Sequence, residues 1–500
     1  MQILSASQLK QADSVTIQKR NILSIDLMEF AAQKCCDWII ENFKPNQHFT
    51  IICGIGNNGG DGLAIARILN QNGFKVKVLL PNFDGKKAND FLINFEKLKN
   101  TGVVLEEIKN TSEIYLQPNS IVIDAIFGIG IKKNLEGFLA DLVLKINESQ
   151  NYVIAIDVPS GLHPDKWMEN TLNNTIKADF TLTFHAPKLS FLFPETGFFV
   201  GNFQVLDIGL IIEESNENHQ YYFVDEQLIS NIYKKRPKFS HKGLSGHSLI
   251  IGGSKGKFGA ALMAAAACLK SGSGLTTIQI PSSAYPSLVV NFPELMVELD
   301  SNENYITEHP KKHYSSYGFG PGIGLEQETA NVLKFLIHDK KFPLVIDADG
   351  LNILSENKTW LNFLYPHTIL TPHLKEFEKL AQKSNNSFER LNLQIEFSKK
   401  YKVITVLKGA HTSIVGTDGN VFFNSTGNAG LAKGGSGDVL TGIITALNAQ
   451  NYHPQQSAIL GVYIHGLAAD MALENCSIES MLASDVINNI GKTFKYINSL

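Results

Sequence analysis

The chain has 500 residues, of which 44% are hydrophobic and 18% charged, with a formal net charge of −4. That length exceeds what one ordinary hydrophobic core serves and implies two or three domains, and the composition excludes a disordered or fibrous protein. A charge so near zero argues against nucleic acid as a bulk partner, although a small anion held by backbone amides stays open.

The opening residues mix charged and polar side chains where a signal peptide needs an apolar run. No stretch approaches the roughly 20 apolar residues of a membrane span, so no membrane partner is expected. The cysteines Cys35, Cys36, Cys53, Cys268 and Cys476 form no Cys-x-x-Cys pair and no zinc spacing. They read as reduced thiols of a cytoplasmic protein, with Cys35 and Cys36 packed in a helix.

Helical spacing covers residues 7–43. Short apolar, β-rich runs follow at 50–53, 75–80, 121–125, 153–158, 180–184 and 203–206. Most are nearly continuous in apolar residues, as strands buried on both faces should be. Helical segments between them predict a parallel sheet wound with helices. The polar, acidic stretch from Ile212 to Gln220 breaks the pattern. We place a linker at 216–224 between domains at 1–215 and 225–500. A second α/β pattern then runs through strands at 248–251, 275–280, 344–346, 368–370 and 403–407, with a buried helix at 260–268. The halves share no repeat, which predicts a fusion of two folds.

The clearest site in the first half is Gly54-Ile-Gly-Asn-Asn-Gly-Gly-Asp-Gly62, after a strand and before a helix at 63–69. Glycines let the backbone turn and bring amides near a ligand, and a helix N-terminus favours negative charge. A mere tight turn capped by Asp61 would need neither so many glycines nor the pair Asn57 and Asn58. Two further strand ends carry carboxylates followed by glycine, Asp124 before Gly128 and Asp157 before Gly161. Carboxyl ends of parallel strands are where such sheets bind ligands.

These segments resemble the NAD(P)H-hydrate epimerase family across roughly residues 1–215. The resemblance implies a Rossmann-like three-layer domain and a bound potassium ion near Asn58, Asp124 and Ser160. It implies substrate contacts from Asn57, Asn58, Gly59, Gly60 and Asp61, and again from Gly128, Ile129, Gly130, Ile131, Lys132, Lys133 and Asn134. Asp157 is the implied acid/base group. That role suits a carbinolamine-type centre that must open and re-form.

In the second half, Asn428-Ala-Gly-Leu-Ala-Lys-Gly-Gly-Ser-Gly-Asp-Val-Leu440 sets a glycine cluster before a helix at 439–447. Asp438 would lie in the first turn, beside an anion hole of backbone amides. Further loops follow strands at 251–260, Tyr317-Gly-Phe-Gly-Pro-Gly-Ile-Gly324, Thr371-Pro-His-Leu-Lys-Glu376 and Leu407-Lys-Gly-Ala-His-Thr412. Alone, each loop is a weak signal; five in one domain point to a nucleotide.

The phrases His241-Lys-Gly, Gly320-Pro-Gly-Ile-Gly324, Asp347-Ala-Asp-Gly-Leu-Asn352, Thr371-Pro-His373 and Gly434-Gly-Ser-Gly-Asp438 resemble the NAD(P)H-hydrate dehydratase family, a ribokinase-like α/β fold, across roughly 225–500. The resemblance implies substrate contacts from Ala260, Gly322, His373 and Asp438. It implies nucleotide contacts from Lys408, Gly409, Ala410, His411, Thr412 and Gly437. Ser436 stands where threonine is common, and Ala429 and Lys433 where proline and threonine are frequent. Together the two resemblances imply a bifunctional enzyme repairing hydrated NADH and NADPH. The first half would epimerise the R and S hydrates. The second would dehydrate the S hydrate at the expense of ADP or ATP, with magnesium, by phosphorylating its hydroxyl and eliminating phosphate. Asp438 would take the hydroxyl proton. A homo-oligomer acting on small molecules is the expected assembly. Two alternatives remain: a hydroxymethylpyrimidine- or hydroxyethylthiazole-type kinase fused to a Rossmann-like binding domain, and a non-catalytic nucleotide sensor.

Overall fold

The computed structural model describes residues 1–168, 173–213, 221–286, 288, 292–338 and 343–500. Contacts divide it into two compact units. One comprises Gln2–Asn216 with Asn386–Phe388; the other comprises Met1, Glu217–Asn385 and Glu389–Leu500. Residues 214–220, which include most of the expected linker, lie outside the described residues.

The first unit begins with helices α1 (Ala6–Arg20) and α2 (Ser24–Asn42). The sequence spacing reads as one helix, but Asn21 adopts left-handed geometry with φ 53° and ends the first. Then come β1 (His48–Cys53), α3 (Asn57–Gln71), β2 (Lys75–Pro81), α4 (Asn89–Lys99), β3 (Val104–Ile108), β4 (Ile121–Ala125), α5 (Phe138–Glu148), β5 (Tyr152–Ile156), β6 (Phe180–Phe184) and β7 (Asn202–Leu206). The strands run β3-β2-β1-β4-β5-β6-β7. Every one of these pairings is parallel. This is the doubly wound, Rossmann-like order, with its reversal between β1 and β4. Phe49, Ile51 and Cys53 of β1 enter one hydrophobic cluster and Ile52 the opposite one. The continuous apolar run therefore reflects burial on both faces.

The second unit contains β8 (Tyr221–Phe223), α6 (Glu226–Ile232), β9 (His247–Ile251), α7 (Phe258–Lys270), β10 (Leu275–Pro281), β11 (Met296–Asp300), β12 (Ser316–Phe319), α8 (Gln327–His338), β13 (Leu344–Ile346), α9 (Asp349–Glu356), β14 (Ile369–Leu370), α10 (Leu374–Leu380), β15 (Ile404–Leu407), β16 (Ser413–Val415), β17 (Val421–Phe423), α11 (Ser436–Ala449) and α12 (Pro454–Ala472). Their order is β8-β17-β16-β15-β14-β13-β12-β9-β10-β11. From β11 to β15 the pairings are parallel. The β15–β16 and β16–β17 pairs are antiparallel. Leu249 and Ile251 of β9 pack on one face and Ile250 on the other. Among the described residues no helix is long and apolar enough to cross a membrane. The cysteines are free, and all but Cys476 are buried.

Candidate active sites

In the first unit the strand-order reversal opens a cavity of about 660 Å³. Asn57, Asn58 and Asp61 line it from α3, and Ile126, Phe127, Gly128, Ile129 and Gly130 from the turn after β4. Asp157 enters it after β5, with φ 65° turning its carboxylate from the strand direction. The helix starts at Asn57, six residues earlier than the glycines suggest. Gly56 is its N-cap, and Gly60 N–H donates to Gly56 O. The amides of Asn57, Asn58 and Gly59 thus precede the first intrahelical bond. Gly59 serves close approach: a Cβ there would lie 1.8 Å from the Gly54 carbonyl oxygen.

Gly128 lies between Asn58 and Asp157. An added Cβ would be 3.3 Å from Asn58 Cγ and 3.3 Å from Asp157 Oδ2. Lys188, which is 1% exposed, places Nζ 2.9 Å from Asp157 Oδ1. The same ammonium donates to Thr183 Oγ1 at 2.9 Å and Phe184 O at 3.0 Å, so it is fixed as well as buried. Burial, with Asp157, Asp13 and Asp90 nearby, pushes the Asp61 carboxyl well above the ordinary range. Burial and the charge of Asp157, opposed by Lys188, push Asp13 up to about 6.

Asp124 and Ser160 lie beneath the turn. Ser160 Oγ donates to Asp124 Oδ1 at 2.6 Å and accepts from Phe127 N–H at 2.9 Å, while Ser160 N–H donates to Asp124 Oδ2 at 2.7 Å. Burial raises the Asp124 pKa to about 6 against the bonds from Ser160 and Ile126. Asn58 Nδ2 is buried without a partner. Hydrogen bonds from Ser160 Oγ gather the oxygens of Asp124, Ser160 and Phe127 into one cluster, and oxygen donors suit a hard cation such as potassium. Gly59 and Gly60 do not line the cavity. Beyond Gly130 the chain leaves it: Ile131 turns into the core, Lys132 and Lys133 are exposed, and Asn134 lies off the wall.

In the second unit the carboxyl ends of β9, β12, β13, β14 and β15 share one sheet edge. α11 begins at Ser436, with Gly435 left-handed at φ 94° as N-cap. Val439 N–H donates to Gly435 O, which leaves the amides of Ser436, Gly437 and Asp438 ahead of the first intrahelical bond. Burial and the charge of Asp347, opposed by Lys408, push Asp438 up to about 7. Lys408 Nζ donates to Asp347 Oδ1 at 2.8 Å, and Thr441 Oγ1 to Asp347 Oδ2 at 2.8 Å. Burial pulls Lys408 down, yet Asp347, Glu376 and Asp438 outweigh it and its pKa is raised.

His373 is the N-cap of α10. Its Nδ1 accepts from Glu376 N–H at 3.3 Å, leaving Nε2 3.3 Å from Glu376 Oε1. Lys408 N–H donates to Pro372 O, joining the two turns. Gly409 and Thr412 close the 408–412 loop, Thr412 Oγ1 donating to Gly409 O at 3.0 Å. Ala410 lies between them, and His411 Nδ1 lies 3.0 Å from Asn424 O. Gly322, with φ 60°, packs where an added Cβ would lie 3.0 Å from Ala260 Cβ. Gly324 N–H donates to Asp349 Oδ2 at 3.0 Å, and Lys257 Nζ lies 3.4 Å from the same oxygen. Among the described residues no three His, Cys, Asp or Glu side chains converge as a metal cage. Magnesium in such a site is held by one or two carboxylates together with the nucleotide phosphates.

Sequence reasoning overlooked Asp13, Lys188, Glu376 and His465. Lys188 follows β6 by four residues and obeys the strand-end rule that found Asp157. Glu376 is the third residue of a capping box. His465 Nε2 lies 3.2 Å from Ser436 Oγ, and burial with Lys408 lowers its pKa to about 4. It sits in the middle of α12, where no local signal marks it.

Residues 24–190 match the family model described as YjeF-related protein N-terminus, and residues 248–492 match NAD(P)H-hydrate dehydratase. The bifunctional NAD(P)H-hydrate repair enzyme of Moorella thermoacetica is 32% identical, over 98% of this chain and 96% of its own. That of Escherichia coli K12 is 30% identical, over 90% of this chain and 85% of its own. A Bacillus subtilis ADP/ATP-dependent NAD(P)H-hydrate dehydratase co-crystallised with ATP/Mg2+ superposes with a TM-score of 0.50 at 27% identity, covering 55% of this chain and 98% of that one. Relatives matching both halves at once set aside the fused-kinase alternative, and the chain belongs to the family of bifunctional NAD(P)H-hydrate repair enzymes.

Proposed function

We infer that the enzyme restores hydrated NADH and NADPH in two steps, with residues 1–215 epimerising the hydrates and residues 225–500 dehydrating the S form. The observation carrying this reading is Asp438. Its carboxyl titrates near neutrality at the start of a helix whose free amides face the same edge as Lys408. Hydroxide is a poor leaving group. Asp438 takes the hydroxyl proton as the oxygen attacks the terminal phosphoryl group of ADP or ATP. The amides of Ser436 and Gly437, with Lys408, hold the developing charge. Phosphate then leaves as a neighbouring C–H proton is lost, and the dihydropyridine is restored. Ala260, Gly322 and His373 hold the hydrate; Gly409, Ala410, His411, Thr412 and Gly437 hold the nucleotide. Magnesium, when bound, neutralises charge on the phosphates.

In the first unit Asp157, paired with Lys188, moves the proton of the hydrate hydroxyl. The amides of Asn57 and Asn58 face anionic groups of the substrate. Asn58, Asp124 and Ser160, with the Phe127 carbonyl, hold potassium, which supplies positive charge beside that substrate. Free cysteines support a cytoplasmic setting. Light scattering tests the homo-oligomer.

The experiment uses purified R and S NADH hydrates with ADP or ATP and follows recovery of dihydronicotinamide absorbance and release of inorganic phosphate. Asp157→Ala is expected to abolish R/S interconversion and keep S dehydration; Asp438→Ala is expected to do the reverse. A stable phosphorylated product without NADH would leave a kinase in place of a dehydratase. One substitution that removes both activities from folded protein would overturn the two-site assignment.

A further inference from the structure

Interconverting two configurations at one carbon requires proton donors and acceptors that exchange roles between the forward and reverse directions. Asp157 is one such group. Helix α1 brings a second. Its residues Lys10, Asp13, Ser14 and Ile17 line the cavity. They follow the spacing of one helical face. Leu9, Ala12 and Thr16 are buried instead. Asp13 is the carboxyl on the cavity face. Among the described residues it has no hydrogen-bond or ion-pair partner, although it is only partly exposed. A carboxyl withdrawn from water without a partner carries a desolvation cost that structure alone does not offset. The charged and titratable groups around it are Lys10 on its own helix, Asp61 on α3, Asp90 on α4, Lys86 in the preceding loop, Asp157 after β5 and Lys188 after β6. Asp157 has an ammonium at 2.9 Å and Asp13 has none. The two carboxyls therefore differ in environment, as an acid and a base sharing one substrate should.

We propose that Asp13 is the second proton carrier of the first unit, serving the ring nitrogen while Asp157 serves the hydroxyl. The hydroxyl-bearing ring carbon is bonded to that nitrogen. Asp157 accepts the hydroxyl proton, the O–H electron pair becomes the second bond of an aldehyde, and the carbon–nitrogen bond breaks. The nitrogen takes its proton from Asp13. Rotation about the adjacent carbon–carbon bond presents the other carbonyl face. On closure the nitrogen returns its proton to Asp13, and Asp157 returns the other to oxygen. Atoms and electrons balance without an oxidant, a reductant or added water. Burial and the Asp157 charge, which raise the Asp13 pKa to about 6, keep a protonated population available in the cavity.

This proposal rests on the epimerase reading of the unit, and the test separates the two. R/S interconversion is measured on full-length wild type, Asp13→Asn and Asp13→Ala, with R-hydrate binding measured alongside. Asp13→Asn keeps the shape and removes the exchangeable proton. It is expected to lower kcat at least about a hundredfold with KM little changed. Asp13→Ala is expected to recover turnover with added acetate in a concentration-dependent way. A wild type that interconverts beside an Asp13→Asn variant of unchanged kcat overturns the proposal alone. So does a variant whose loss lies wholly in KM, or an Asp13→Ala variant that binds hydrate but is not rescued. A wild type that does not interconvert removes the epimerase reading and this proposal with it. If both variants fail to fold, Asp13→Glu decides the matter. It is expected to turn over with a displaced acidic limb in its pH–rate profile, and an undisplaced limb overturns the assignment.

Discussion

Asp438 is a carboxyl that the folded chain keeps protonated far above the pH at which water would ionise it. As a general base it works only when ionised, so dehydration is expected to fall as pH drops through about 7. The same shift bears on stability with the opposite sign. Its pKa rises from 3.8 in the free side chain to about 7 in the fold, so protons favour the native state. The contribution is whole below about pH 4 and gone once pH passes about 7. Asp438→Asn is therefore expected to abolish dehydration yet stabilise the second unit at pH 8, by up to about 4 kcal/mol at about 1.36 kcal/mol per pKa unit. Thermal melts at pH 4 and pH 8 check this: an unchanged or lower melting temperature at pH 8 contradicts it.

At the scale of elements, the glycines of the two helix-start loops divide by what surrounds them. Gly59 fits against the Gly54 carbonyl, and Gly62 would drive a Cβ to 2.6 Å from Ala125 Cβ. Gly434 meets nothing within 4 Å. Gly59→Ala is expected to cost roughly 1–3 kcal/mol and to lower both the melting temperature of the first unit and R/S interconversion. Gly434→Ala is expected to stay within about 0.5 kcal/mol of wild type. Equal melting temperatures for the two variants would refute the packing argument. The same glycines explain where the sequence misleads: a helix former is not expected at Asn57-Asn-Gly-Gly, yet tertiary packing starts α3 there. Most buried central strands were legible, but β12, wholly buried between β9 and β13, reads as part of a loop because Ser316 and Gly318 break its apolar run. Ile121–Ala125, Phe180–Phe184 and Leu344–Ile346 fall where the apolar runs lie. β3 and β11 were not, because strands at the sheet rims carry Glu106, Glu107, Glu298 and Asp300 among their apolar residues. β16 and β17 were too short to stand out. The strand-end carboxylates Asp124 and Asp157, and Asp438 at a helix start, were visible because they follow or precede glycine in sequence. Asp13 was not, since only the folded helix shows which side of α1 faces the cavity.

For the whole molecule, two unlike folds put their chemistry at the same kind of place, the carboxyl ends of parallel strands. If the nucleotide binds the second unit alone, ADP or ATP at about a hundredfold its Kd should stabilise that unit by about 2.7 kcal/mol. The melting of the first unit should not move. Calorimetry with and without nucleotide tests this, and a shift of both transitions would contradict confinement to one unit. The strand ends opposite the sites have another character. Gly73, Asn119, Gln150, His367 and Lys402 all take left-handed backbone shortly before a strand begins. They reverse the chain and line no part of the cavity. Each unit thus has a working rim and a returning rim. An engineer seeking somewhere to splice a fluorophore or an affinity handle would choose the returning rim, where a detour in the chain adds length without disturbing a proton's path.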